Sequence, residues 1–202
     1  MKCVFELACR VGWDGLTALG TLALVLIGLV TALYAGIQLS DFRRESRVKH
    51  LNDLVNDFED EPMAAYRRGL AAKRVAGGVL QPVNADDPPP ELHKVMNFFE
   101  HMGYLLAGRY LELDDIFVEF HYWILHVWAD AREVVRREQA EEPIYYEYFE
   151  KMVKRLGERE RQRTGRFELP SKTDIEDFYL EEAQLPSGSP IPRQRRTKRR
   201  SM

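Results

Sequence analysis

Two cysteines in 202 residues, Cys3 and Cys9, are too few for a disulfide framework or a cysteine-based zinc site. Both precede the one long uncharged apolar run, which also removes them as a catalytic thiol in the rest of the chain. No second run of that kind exists, so a polytopic transporter or channel is excluded. Convincing period-two alternation is missing, so nothing reads as a strand. Gly-x-Ser-x-Gly, a Walker loop, HExxH and the Glu-x-x-His pairs of di-iron bundles are all absent. The length suits one ordinary domain with appendages and is too short for two enzyme domains.

What is present is unevenly distributed. The formal charge is −3, yet residues 1–40 are neutral and residues 184–202 hold six basic side chains and no acid, leaving −9 for residues 41–183. The chain is an acidic body between an apolar start and a basic tail. Residues 16–39 carry no charge. As a helix they cover roughly 36 Å at about 1.5 Å per residue, enough for a hydrocarbon core of about 30 Å. Trp13, Tyr34 and Phe42 lie where interfacial rings are favoured, and Arg43, Arg44, Arg47 and Lys49 follow the run, against Lys2 and Arg10 before it. That asymmetry predicts a single-pass anchor with residues 1–15 outside and the C-terminal body in the cytoplasm. The rival is a signal peptide cleaved after Ala32, against which stand an acidic lead and an apolar run longer than usual. Gly28, Ala32 and Gly36 recur every four residues, a small-residue face on which two membrane helices could associate.

Residues 40–76 read as an amphipathic stalk and a further helix. Val48, Leu51, Val55 and Phe58 form the stalk's apolar stripe, suited to extending a parallel contact between two copies as a short coiled coil. Pro62 fits a first helical turn, and Gly77-Gly78 ends that helix. Residues 77–90 are a Pro/Gly-rich loop, and residues 91–183 the bundle core. Within the core, Leu92 to Leu106 form one helix stripe ending near Gly108. Asp114 or Asp115 then caps a single long helix running from Ile116 to Val135. Pro143 opens another, with Tyr145, Tyr148, Phe149, Met152, Val153 and Leu156 inward, and Thr173 with Glu176 has capping-box spacing before a last helix. The fold class expected is all-α: one N-terminal transmembrane helix, then an antiparallel bundle of four to five helices.

Polar residues give no reaction. His93, His101, His121 and His126 lack ligand spacing, since His121 and His126 stand about 140° apart around a helix. Asp114-Asp115 reads as a cap rather than a catalytic dyad. No catalytic residue, cofactor or metal is expected. The tail, with Arg193, Arg195, Arg196, Lys198, Arg199 and Arg200, is disordered by composition; it is a solvated segment without a specific partner, or it binds anionic lipid or acidic protein, with nucleic acid a weaker fit.

The order of features, with Asn97-x-x-Glu100, Gly103, Gly108, Leu113-Asp114, Trp128 and Arg132 or Arg136, resembles a bacterial domain-of-unknown-function family of membrane-anchored helical proteins over roughly residues 41–163. The resemblance implies an inner-membrane anchor and a cytoplasmic helical domain, without an established activity. Asn97 and Glu100 share a helix face and suit a structural contact through a hydrogen bond or an arginine pair. The function expected is a membrane-anchored interaction or regulatory module that self-associates. The alternatives are a membrane-acting antiphage or toxin-like effector and, more weakly, an enzyme with an unrecognised site.

Overall fold

The structure, a computed structural model, describes residues 13–184. Among the described residues there are seven α-helices and one three-residue 3-10 turn, and no strand. They are α1 (Trp13–Glu59), α2 (Glu61–Arg74), the turn Ala76–Gly78, α3 (Pro90–Ala107), α4 (Leu113–Glu119), α5 (His121–Glu141), α6 (Glu147–Thr164) and α7 (Lys172–Gln184). The chain divides between Ser46 and Arg47 into two units. The fold is all-α, with an apolar N-terminal helix followed by a helical bundle.

In the first unit α1 is apolar over Thr17–Leu39, and none of that stretch is buried. The hydroxyls of Thr21 and Thr31 donate to the carbonyls of Thr17 and Ile27, each at 2.8 Å, so these polar groups are satisfied within the helix. Among the described residues, Gly28 and Gly36 have nothing within 4 Å of where a Cβ would stand.

In the second unit the end of α1 contributes Leu54 and Phe58 to the core. Phe58 is fully buried and its ring lies 5.0 Å from Phe98, 5.5 Å from Phe120 and 5.1 Å from Trp123. Leu92, Val95, Met96, Phe99 and Met102 of α3 are all fully buried. This helix packs on α2 and α6, while α7 packs on α2 and α5. At the α3–α6 crossing a Cβ on Gly103 would stand 2.4 Å from the Tyr148 carbonyl oxygen, so glycine lets the two backbones meet.

Three expected boundaries are corrected. Residues 116–135 are not one helix: α4 and α5 meet at Phe120, with φ −121° and ψ −8°. The ladder is interrupted there: the last bond of α4, from the Phe120 amide to Ile116 at 2.8 Å, and the first of α5, from the Ile124 amide to Phe120 at 2.9 Å, meet at that residue. Fully buried Phe120 meets the Phe58 ring edge-on, and that packing overrides a straight continuation. Pro143 does not open α6, which starts at Glu147 after left-handed Tyr146 (φ 54°). The start is set from outside the helix: the Glu100 carboxylate on α3 accepts the amides of Tyr148 (3.3 Å) and Phe149 (2.7 Å). Tyr145 is therefore exposed and Tyr146 buried. The capping box of α7 lies two residues earlier than expected. Ser171 and Asp174 exchange it: the Ser171 amide and hydroxyl donate to Asp174 at 2.8 and 2.7 Å, and the Asp174 amide donates to the Ser171 hydroxyl at 3.3 Å.

The end of α3 is unusual. Tyr110 donates its amide to Leu105 (2.9 Å) and Arg109 to Leu106 (3.2 Å), a Schellman closure in which the left-handed position is filled by Arg109, φ 61°, not by glycine. Neighbouring Gly108 is right-handed, and its lack of a Cβ instead admits the Tyr110 ring, whose nearest atoms would lie 2.7 Å from that Cβ. An L-residue held there costs about 1–2 kcal/mol.

Replacing Gly103 by Ala should lower stability by about 1–3 kcal/mol, because α6 must move away from α3. Gly69→Ala, whose Cβ would meet only Glu91 at 3.4 Å or beyond, should be neutral or stabilising. Thermal melts of the full chain in mild detergent test the pair; equal melting temperatures for the two variants would refute the close crossing.

Candidate functional site

Helix α2 is short and carries four basic residues, and two of its arginines face inward. Arg67 and Arg74 are seven residues apart, two helical turns, so they share a face with Leu70 and Ala71. Both are about 95% buried. This buried polar seam joins α2 to α5 and α7.

Arg74 grips Asp130 of α5 with two parallel bonds, Nε to Oδ2 at 2.7 Å and Nη2 to Oδ1 at 2.5 Å. The Tyr179 hydroxyl of α7 donates to the same Oδ2 at 2.9 Å. Burial opposes the charge on Arg74, but the hydrogen bonds and charge of Asp130 outweigh it and raise its pKa. Burial, then the adjacent Asp130, pushes the Tyr179 phenol well above its ordinary value, so it remains a donor. Each member has partners, as a buried polar network requires.

Arg67 is held differently. Its guanidinium carbon lies 4.3 Å from the Phe58 ring centroid and 4.8 Å from that of Trp123. A buried carboxylate, that of Glu182 of α7, stands 3.6 Å away, too far for a hydrogen bond. Among the described residues, Nε and Nη1 of Arg67 and Nε1 of Trp123 have no hydrogen-bond partner. Burial lowers the Arg67 pKa despite Glu182 and Glu59, and burial raises that of Glu182 despite Arg67. The Arg74 bridge is thus well satisfied, and the Arg67 pair is a costly charge held mainly by ring faces.

The other polar residues are also accounted for structurally. His121 Nε2 lies 2.9 Å from Glu160, and His93 Nδ1 3.1 Å from the Tyr146 hydroxyl. His126 Nδ1 donates to the Tyr122 carbonyl at 2.6 Å, and its ring stacks on Phe178. His101 is exposed. Among the described residues no three His, Cys, Asp or Glu side chains are placed to hold a metal ion. The seam is closed to substrates, since Arg74 and Asp130 are only 5% and 6% exposed. Its chemistry is that of a clamp.

Residues singled out by sequence fall in separate places. Gly28, Ala32 and Gly36 lie on the exposed part of α1. Of the stalk set, Val48 is exposed, Leu51 and Val55 are half-buried against the core and Phe58 lies inside it. A coiled-coil stripe between copies therefore loses Phe58, because the core of its own chain already covers that ring. Glu100 caps α6 and Asn97 is exposed. Burial raises the Glu100 pKa against the two amides it accepts. Arg193, Arg195, Arg196, Lys198, Arg199 and Arg200, with Cys3 and Cys9, lie outside the described residues. Arg67, Arg74, Asp130, Tyr179 and Glu182 were not singled out; the signal available was the register of Arg67 and Arg74 with Leu70 and Ala71.

Arg74→Met, leaving Asp130 buried and unpaired, should cost about 3–5 kcal/mol, whereas Arg67→Met combined with Glu182→Met should be neutral or stabilising. Chemical denaturation of the full chain compares them, and a larger loss from the double substitution would reverse the assignment. Stability should also depend on pH through His126. Burial, against the Tyr122 carbonyl, lowers its pKa below the ordinary 6.5. The unfolded chain therefore binds the proton first, so this contribution is complete above 6.5 and is lost as pH falls through 6.5 towards the lower folded value. His126→Gln should flatten the fall in melting temperature between about pH 7.5 and 5.5; an unchanged slope would contradict it.

No curated protein and no solved structure matches the chain. A family model does, described as a domain of unknown function (DUF4760), over residues 22–156. The match begins earlier than residue 41, inside the apolar part of α1, and ends before residue 163. It takes in Phe58, Arg67, Arg74, Glu100 and Asp130 but not α7, so Tyr179 and Glu182, which complete the seam, fall beyond it. The match spans well over half of the sequence, and the chain belongs to the DUF4760 family of domains of unknown function.

Proposed function

We propose that this protein is a single-pass, membrane-anchored helical module of the bacterial inner membrane, whose cytoplasmic bundle serves interaction or regulation rather than catalysis. The observation that carries the anchor is exposure. Eleven Leu, Ile and Val side chains between Leu19 and Leu39 are more than half exposed. At about 1.5 kcal/mol or more each, covering them is worth on the order of 15 kcal/mol, as much as the whole stability of an ordinary domain. Lipid provides that cover. Retention of the segment is favoured because the family match begins at residue 22, within it. Cleavage after Ala32 would also leave Leu33, Ile37 and Leu39 in water. The basic residues Arg43, Arg44, Arg47 and Lys49 favour a cytoplasmic body. A module role is supported by the seam, whose buried charges hold helices together and meet no solvent.

Self-association belongs to the same reading, through Gly28, Ala32 and Gly36, with Val48 as the exposed stalk residue. The basic tail would add attraction to anionic lipid or acidic protein.

A cytoplasm-dependent reporter fused after Met202 should be active. Activity of a periplasm-dependent one, or a mature protein beginning at Leu33, would refute the topology. Cross-linking in native membranes should capture a dimer or small oligomer that Ala32→Leu weakens and Leu22→Ala spares; a monomeric wild type, or equal loss from both, would remove the small-residue face.

A further inference from the structure

We infer that a recess formed by the end of α3, the start of α4, α6 and Arg47 of α1 binds a phosphate-bearing anion. The recess has a volume of about 500 Å³ and is lined by Arg47, Arg109, Arg155 and Glu112 among others. Three arginines and one carboxylate residue therefore line it. Arg47 is already ion-paired with Glu112. Arg109 and Arg155 have no carboxylate within ion-pairing distance among the described residues, in a body whose formal charge is −9 over residues 41–183. Lys151, Lys154 and Arg159 have carboxylate partners, whereas Arg109 and Arg155, which line one recess, have none among the described residues.

The backbone points to the same side chain. Arg109 occupies the left-handed position of a Schellman closure, where glycine is the usual residue, and holds φ 61°. A strained residue persists where its surroundings or its use over-determine it. Tyr110 fixes the turn, its amide bonded to Leu105 and its ring 5.9 Å from that of His50. Arg109 is thereby held at the rim of the recess.

Guanidinium forks match phosphate oxygens in pairs, and three of them opposed by one carboxylate leave a net excess of positive charge for an anion to neutralise. Glu112 acts as the internal competitor, occupying Arg47 until an anion displaces it. The phosphate can come from a free phosphate compound or from a lipid headgroup. Binding does not rest on the membrane reading; only the lipid source does, since Arg47 follows Leu39 by eight residues, at most about 29 Å of chain.

Phosphorus-31 NMR of the full chain in phosphate-free, non-ionic detergent tests this with three probes: inorganic phosphate, dihexanoyl phosphatidylglycerol, and dihexanoyl phosphatidylcholine as the zwitterionic comparison. Wild type should bind phosphatidylglycerol, inorganic phosphate or both, and bind phosphatidylcholine more weakly; the arm that titrates identifies the source. Arg109→Gly combined with Arg155→Ala should weaken binding by roughly tenfold or more. Glu112→Gln, which frees Arg47, should tighten it. Arg132→Ala combined with Arg136→Ala, removing two exposed charges elsewhere, should leave it unchanged. Arg109→Gly alone should raise the melting temperature while weakening binding, which separates loss of the site from loss of the fold. No titration by inorganic phosphate or phosphatidylglycerol, equal affinity in the recess variant, or equal loss in the distant one would overturn the proposal.

Discussion

Water cannot solvate the surface of α1 between Thr17 and Leu39 without a penalty comparable to the stability of a whole domain. The segment has no charge, none of it is buried, and its two threonine hydroxyls, Thr21 and Thr31, bond back to the helix itself. Such a helix needs an apolar surround. The rest of the chain carries a core of its own. There the aromatic residues Phe58, Phe98, Phe99, Phe120, Trp123 and Phe149 meet in one cluster.

The bundle's hydrophobic core has a polar complement on α2. Arg74 binds Asp130 and, through it, Tyr179; Arg67 sits between Phe58 and Trp123 near Glu182. One helix therefore fixes the position of two others by directional bonds, which apolar contacts alone specify less sharply. The two arginines differ in energetic character. Arg74 has a bidentate partner, whereas Arg67 keeps two nitrogens unpaired among the described residues and relies on the negative faces of aromatic rings. The seam also ties the family domain to the last helix, since Arg67, Arg74 and Asp130 lie inside residues 22–156 while Tyr179 and Glu182 of α7 do not.

Periodicity made the helices of this fold legible wherever a side chain's fate depends on its own helix. The stripe from Leu92 to Leu106 is buried as its spacing requires, and Gly77-Gly78 follows the end of α2. Events decided by a distant residue were not legible. The break at Phe120 depends on Phe58, sixty-two residues earlier, and the start of α6 depends on Glu100 rather than on Pro143. The seam was hidden for a related reason: an arginine on a short, strongly basic helix reads as solvent-facing, and only the rings and Asp130 supplied by other helices turn Arg67 and Arg74 inward. Glycine placement misled at one point: Gly108 is the natural candidate for the left-handed residue, yet Arg109 takes that conformation because the Tyr110 ring needs the space beside Gly108.

Retention of the apolar part of α1, covered by lipid, is the central claim. Alkaline carbonate washing of membranes from cells producing the full chain, with N-terminal sequencing of the washed pellet, tests it most directly. The protein should stay in the pellet with its apolar segment intact. Quantitative release into the wash, or recovery of a chain lacking residues 1–32, would contradict it.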